Sequence, residues 1–241
     1  MTPHVPTAPT ALILAGHGRY ADPWHDTAAI ALCLARAVER AGLRAEVRGT
    51  SPHALEEVAP DVALLIVTAG RGRRDPDVDG DDADWAPFHE RLTALIAAGT
   101  PVLALHQAAN TFADNPEWAT LLGGRWVPGT SMHPPIGPAV FDIADRDHPV
   151  TGGLTRIEVF DERYCHLALA PGSRVLPTAR HDGVDHPVAW VAAGPQRVIY
   201  DGTGHDVRAY ASPDRDLLLQ RELRWLTSGG GEATSLSRPA T

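Results

Sequence analysis

Three polar stretches at the ends of apolar runs hold the residues able to do chemistry. Asp161-Glu162-Arg163-Tyr164 and Tyr200-Asp201-Gly202-Thr203-Gly204-His205-Asp206 each place acids and ring side chains after a strand-like run. Leu103-Ala104-Leu105-His106-Gln107 ends a third run in a histidine. An imidazole beside a carboxylate can exchange protons near neutral pH or share a metal ion. His205 therefore reads as a base or a ligand, with Asp206 either orienting it or turned away to cap the loop. Asp161 and Glu162 point to opposite faces if the strand runs that far, so only one of them faces a pocket. Tyr164 shares the face of Glu162 and can bond a substrate hydroxyl.

Each stretch also has a plainer reading. An isolated charge run is ordinarily a solvated turn, but Ile157, Val159, Phe160, Leu167 and Leu169 frame this one with apolar residues. His106 and Gln107 read equally well as caps of the helix that follows. His133, in Ser131-Met132-His133-Pro134-Pro135, is held by flanking prolines. No H-x-x-x-H spacing occurs, so the candidate metal set of His106, His133, His205 and Glu162, for a divalent ion such as zinc, rests on their convergence in space. His4, His53, His89, His181 and His186 read as surface residues.

The elements that must position these groups alternate in the first half. Residues 10–15 are an apolar run breaking at Gly16-His17-Gly18. Residues 24–41 stripe Ile30, Leu34, Val38 and Ala41 on one face, a helix stopped by Gly42. A brief strand at 44–48 follows, then a short helix opened by Ser51-Pro52. Residues 61–68 are almost wholly apolar, as in a strand covered on both faces. A helix striped by Trp85, Phe88, Leu92, Leu95 and Ile96 leads to a strand at 101–105. This alternation predicts a mostly parallel central sheet with helices on both faces, in which 10–15, 61–68 and 101–105 are neighbours. His17, Ala69-Gly70-Arg71 and His106 then fall at strand carboxyl ends, where such sheets bind ligands.

The second half is rich in Pro and Gly. It predicts an antiparallel extension with strands near Val140, Ile157, Val175, Val188 and Val198, then a helix from Pro213 to Thr227. Residues 70–84 read as a mobile acidic loop. One α/β domain over 10–228 is expected, with a loose arm at 1–9 and a disordered tail at 229–241.

Composition narrows the function. The 241 residues carry a formal charge of -9, which disfavours nucleic acid and anionic membrane as partners. All 21 basic residues are arginine. Without lysine there is no Schiff base, no lysine-bound pyridoxal and no lysine phosphate loop. Cys33, in a helical pattern, and Cys165, in a strand, read as small buried hydrophobes. With no leader-like start and no apolar run of about 18 residues, a cytoplasmic protein is expected.

The chain resembles the ThuA-like (trehalose-utilisation) family, whose fold is similar to that of the class I glutamine amidotransferases, of flavodoxin-like type. The resemblance rests on Leu105-His106, Gly123-Gly124-Arg125-Trp126, Met132-His133-Pro134, the run from Asp147 to Leu154, Asp161 to Tyr164, Pro187 to Trp190, Gly194 to Tyr200, and Gly204-His205-Asp206, in family order. The family usually has Leu where Arg163 stands, and the first loop matches only loosely, so no role is assigned to His17 or His25. The resemblance implies sugar catabolism, beside dehydrogenases that make 3-keto sugars, and it favours Glu162 over Asp161 as the pocket acid. The expectation is a protein acting on a sugar or 3-keto-glycoside by acid–base chemistry, with metal assistance as an option. His205, Glu162 and His106 would be catalytic, and Tyr164, His133, Gln107 and Asp206 would bind a small carbohydrate in an oligomer-forming chain. No cysteine or serine stands at the His106 elbow, so glutamine hydrolysis is not expected. The alternative is a sugar-binding or accessory protein that keeps the fold without catalysis.

Overall fold

A computed structural model describes residues 8–59 and 62–228. The expected tail at 229–241 and residues 1–7 of the expected arm at 1–9 lie outside the described residues. The strands are β1 (Thr10–Ala15), β2 (Arg44–Gly49), β3 (Val62–Thr68), β4 (Val102–Leu105), β5 (Gly124–Arg125), β6 (Gly137–Ile143), β7 (Arg156–Asp161), β8 (Ala168–Leu169), β9 (Arg174–Val175), β10 (Pro177–His181), β11 (Val184–Pro187), β12 (Ala189–Val191) and β13 (Val198–Asp201). The helices are α1 (Thr27–Arg40), α2 (Pro76–Asp79), α3 (Asp82–Ala97), α4 (Trp118–Leu122) and α5 (Pro213–Thr227).

The main sheet runs β2-β1-β3-β4-β13-β12-β9. Its first five strands are parallel, and β12 and β9 extend it antiparallel. As expected, β1, β3 and β4 are adjacent and parallel. The strand order is that of flavodoxin-like sheets, and its direction of growth reverses between β1 and β3. The parallel strands β1, β3, β4 and β13 are buried on both faces, while the edge strand β2 is partly exposed. In β1, Ala11, Ile13 and Ala15 pack with α1, α5 and the second sheet, while Leu12 and Leu14 pack with α3 on the other side. The second sheet, β11-β10-β6-β7, brings Phe141 and Ile157 onto the α1 and α5 side.

Local sequence explains most boundaries. Asp26 accepts the Ala29 N–H to cap α1, and Asp81 and Asp84 form a reciprocal capping box on α3. Ser212 caps α5, with Pro213 in its first turn. Three readings change. Ser51-Pro52 begins a run of turns rather than a helix. The 70–84 segment is tied down, because Asp79 is buried and accepts the Arg19 N–H. Cys165 sits in a single β-bridge with Met132, and both cysteines are free thiols. Among the described residues no helix is long and apolar enough to cross a membrane.

Buried histidines are more frequent than the sequence reading allowed. His89 packs inside, bonded to Tyr20 and close to Asp114, and His186 is buried beside His166. His148 is buried against Trp225, and its Nδ1 accepts the Val150 N–H, so the neutral ring is the form that fits. Burial, with Arg174 nearby, pushes its pKa down to about 4. A depressed folded-state pKa makes this contribution complete above the unfolded value of about 6.5 and erodes it as pH falls towards 4. The stability gap between wild type and His148→Asn, measured by urea unfolding, should therefore narrow between pH 6.5 and 4. The slope should be no more than about 1.4 kcal/mol per pH unit. A gap that stays flat would place this titration elsewhere.

Candidate metal-binding active site

The carboxyl end of β4 breaks directly into a tight 3-10 turn, His106–Asn110, with His106 in the left-handed region at φ 44°. A β-strand followed by a strained residue is the arrangement that aims a side chain out of the sheet. Neither His106 nor Gln107 caps the turn through its side chain. Instead the Tyr200 hydroxyl donates to the His106 carbonyl at 2.8 Å, and His106 Nδ1 lies 2.8 Å from the Gly202 carbonyl. A carbonyl only accepts, so the proton sits on Nδ1 and the Nε2 lone pair is left bare.

Two further imidazoles face that lone pair. His25 comes from the loop between β1 and α1, where Asp22 accepts its Nδ1–H at 2.7 Å and also the Trp24 and His25 backbone N–H groups. His205 comes from the loop after β13. The three rings lie edge to face, with centroids 4.6–5.3 Å apart. Glu162, just beyond β7, closes the group with Oε2 at 3.3 Å from His106 Nε2 and 3.2 Å from His205 Nδ1. His25 Nε2, His106 Nε2 and His205 Nδ1 are all buried without a hydrogen-bond partner. One ligand atom from each of these four residues lies within 4.8 Å of every other.

Electrostatics follow from this packing. Burial would raise the Glu162 carboxyl, but His106 and His205, when they carry protons on the nitrogens facing it, outweigh burial and hold it well below the ordinary carboxylate range. Burial would lower His205, and Glu162 reverses that and raises it. His25 is held down by burial in spite of Asp22. Asp161 is the acid turned inward. Burial pushes its carboxyl up, while the backbone N–H groups of Gly204, His205 and Glu162 bond the ionised form at 2.6, 3.1 and 2.9 Å. Gly204, at φ 107°, supplies the turn that lets those two loop N–H groups face one carboxylate.

The sequence-derived residues divide accordingly. His106, Glu162 and His205 converge, and Tyr164, His133 and Gln107 line the same cleft, which encloses about 550 Å³. The β-bridge between Met132 and Cys165 sets His133 beside Tyr164, and Tyr164 lies over His106 with ring centroids 4.3 Å apart. His133 reaches only the other oxygen of Glu162, at 3.4 Å, and is a third exposed. The fourth member of the cluster is His25 in its place. Gln107 donates to Thr68 and ties the ends of β3 and β4 together. Asp206 does not line the cleft: it pairs with Arg208 and caps its own loop. His17 lies against Gly49 and is not among the residues lining the cleft. Asp22, Trp24, His25, Asn110 and Trp126 were not singled out by residue type and spacing. Asp22 and His25, three residues apart just before a capped helix, are the signal that was there to read.

A mostly parallel sheet in this strand order is the fold shared with class I glutamine amidotransferase-like proteins. Within that class the chain belongs to the ThuA family, described as trehalose utilisation, which matches residues 25–226. Its role is accordingly carbohydrate-related. A ThuA-like protein from Parabacteroides merdae is similar in structure at TM-score 0.74 and 17% identity, covering 95% of this chain and 93% of that one. Another from Bacteroides uniformis gives 0.70 at 17% identity, over 95% and 96%. A glutamine amidotransferase from Thermotoga maritima gives 0.59 at 10% identity, over 93% and 100%, which shows the shared fold. No curated protein matches the chain.

The two acids flanking His205 should behave differently. Asp161→Asn removes a buried carboxylate from three N–H groups and should cost about 1.5–3 kcal/mol or more. Asp206→Asn disturbs a surface pair and should scarcely move the thermal midpoint. Equal losses in the two melting curves would contradict this assignment of the loop anchor.

Proposed function

We propose that this protein is a metal-dependent enzyme of carbohydrate catabolism that acts on a sugar or 3-keto-glycoside by acid–base chemistry. One observation carries the reading: three buried imidazole nitrogens without partners face one ionised carboxylate. Buried polar atoms are rarely left unpaired, and three histidines with a glutamate are a donor set suited to zinc or a neighbouring first-row ion. A tetrahedral ion with bonds of about 2.0–2.2 Å spaces its ligands roughly 3.3–3.6 Å apart. The contacts of 3.2 and 3.3 Å from Glu162 are of that size. The outer partners fit as well. Gly202 and Asp22 hold the distal N–H of His106 and His25, which fixes their tautomers and points the lone pairs inward.

A divalent ion held there would act as a Lewis acid on a substrate oxygen. The remaining work falls to side chains outside the ligand set. Trp24 and Trp126 offer apolar faces to sugar C–H groups at the mouth and wall of the cleft. Tyr164 and His133 present a phenol and an imidazole to sugar hydroxyls. A ketone at C3 acidifies the proton at C2, and His133 is the base or acid able to move a proton there. Glutamine hydrolysis is outside this repertoire, since the elbow carries His106 and the thiols of Cys33 and Cys165 are elsewhere.

Elemental analysis of the purified protein should find about one transition-metal ion per chain. His25→Ala and Glu162→Gln should lose it. His133→Ala should keep the ion while turnover of 3-keto-glucosides falls by about 10²–10⁴. A wild-type chain that takes up no zinc, iron, manganese, cobalt, nickel or copper defeats the metal reading. Sugar binding without turnover of any keto-glycoside would favour the non-catalytic alternative.

A further inference from the structure

The cleft does not end at the histidines. Beyond Asn110 and Trp126 it continues into a depression of about 270 Å³, and these two residues and Arg71 line both spaces. Thr111 and Asn115 also line the depression. Both are more than nine-tenths buried, yet Thr111 Oγ1 and Asn115 Nδ2 have no partner. An unpartnered buried donor is unfavourable, and a ligand oxygen placed against it removes the penalty.

The charge of this space is unlike the rest of the chain. Arg71 and Arg125 line it, and among the described residues no Asp or Glu does, although the protein carries a formal charge of -9. The neighbouring arginines are already engaged: Arg19 with Asp82 and Asp114, and Arg74 with Asp82. Arg71 and Arg125 form no ion pair among the described residues, which leaves two guanidinium groups beside two neutral donors. Guanidinium groups match the paired oxygens of a carboxylate or phosphate, and charge-assisted bonds of this kind are the strong ones.

We propose that this depression is a second subsite, which takes an anionic group, a carboxylate or a phosphate ester, on the far end of the sugar substrate. The inference rests on the preceding reading for where the reacting end lies. In this arrangement the ring to be transformed sits at the His25–His106–Glu162–His205 cluster, and Trp126 and Asn110 span the junction. Arg125, Asn115 and Thr111 hold the distal anion, with Arg71 between the two spaces. The preferred substrate is then an acidic or phosphorylated glycoside rather than a neutral one.

Calorimetric titration of the full chain with trehalose, its 6-phosphate and its 6-carboxylate tests this. The anionic forms should bind about tenfold or more tightly than trehalose. Arg125→Gln should bring them to within about threefold of it, with metal content as in wild type. A preference for both anions assigns the subsite to charge alone; a preference for the phosphate only assigns it to a phosphate ester. Equal affinities, no binding of any of the three, or a preference that survives in Arg125→Gln overturns the proposal, the last because the anion would then sit on the metal cluster. Elemental analysis separates the two readings: bound metal without anion preference removes the subsite alone, and anion preference without metal removes the metal centre alone.

Discussion

The hydrogen bond from His106 Nδ1 to the Gly202 carbonyl is the constraint on which the site depends. It spans two adjacent parallel strands, β4 and β13, at the level where both end. It holds a non-glycine residue at positive φ, a conformation that costs on the order of 1–3 kcal/mol and persists only when the surroundings over-determine it. It also decides the chemistry. The carbonyl takes the only proton of the neutral ring, so the nitrogen facing the cleft offers a lone pair. Were the proton on the other nitrogen, the ring would present an N–H to Glu162, which would close the cluster as an ordinary hydrogen bond.

That loop is gripped from both sides. In front, Asp161 receives the Gly204 and His205 N–H groups. Behind it, Asp201 accepts from Thr203 and faces Arg215, both acid and base being fully buried. Glu222 shares this interior with neither carboxyl oxygen partnered. Burial, reinforced by Asp201, pushes its carboxyl far up against the opposing pull of Arg215. Buried charges are rarely retained for stability alone, because hydrophobic replacements of the same volume often do as well. Here they fix where a backbone loop stands, and His205 and the Gly202 carbonyl are delivered by that loop.

How much of this was legible in the sequence depends on the range of the interactions. The parallel strands were plain, because burial on both faces leaves an uninterrupted apolar run, as at Leu64 to Val67. Helix α5 was plain because Ser212 and Pro213 announce its start. The turns after Ser51 were misread because a cap signal of two residues cannot tell a helix from consecutive turns. His106, Glu162 and His205 were found as polar residues ending apolar strands, a pattern local to each. His25 was not, since its part in the cluster is set by Asp22 and by rings 81 and 180 residues away in the chain. Of the two roles open to Asp206, orienting His205 or turning away to cap the loop, the structure shows the second, because neighbouring residues on an extended loop point apart. The acid that does anchor that loop, Asp161, is 44 residues distant.

The comparison with amidotransferase-like folds gains its meaning from the elbow. The fold is shared with a glutamine amidotransferase at 10% identity, so the course of the backbone does not depend on the residues that line the cleft. What a backbone of this kind provides is a side chain projected into a cleft at the sheet's carboxyl edge, with a second ring opposite it. A thiol there suits attack on an acyl carbon; an imidazole whose proton is tied to a carbonyl suits coordination. One residue type at one strained position therefore redirects the site. The other ligands then come from wherever the fold brings a donor near: His25 from the first loop, by way of Asp22, and Glu162 from the antiparallel addition that carries β7. The added sheet thereby supplies the only negative charge in the cluster. A parallel sheet alone would bring together three rings with Asp22 behind one of them, and no carboxylate placed to touch the cation itself.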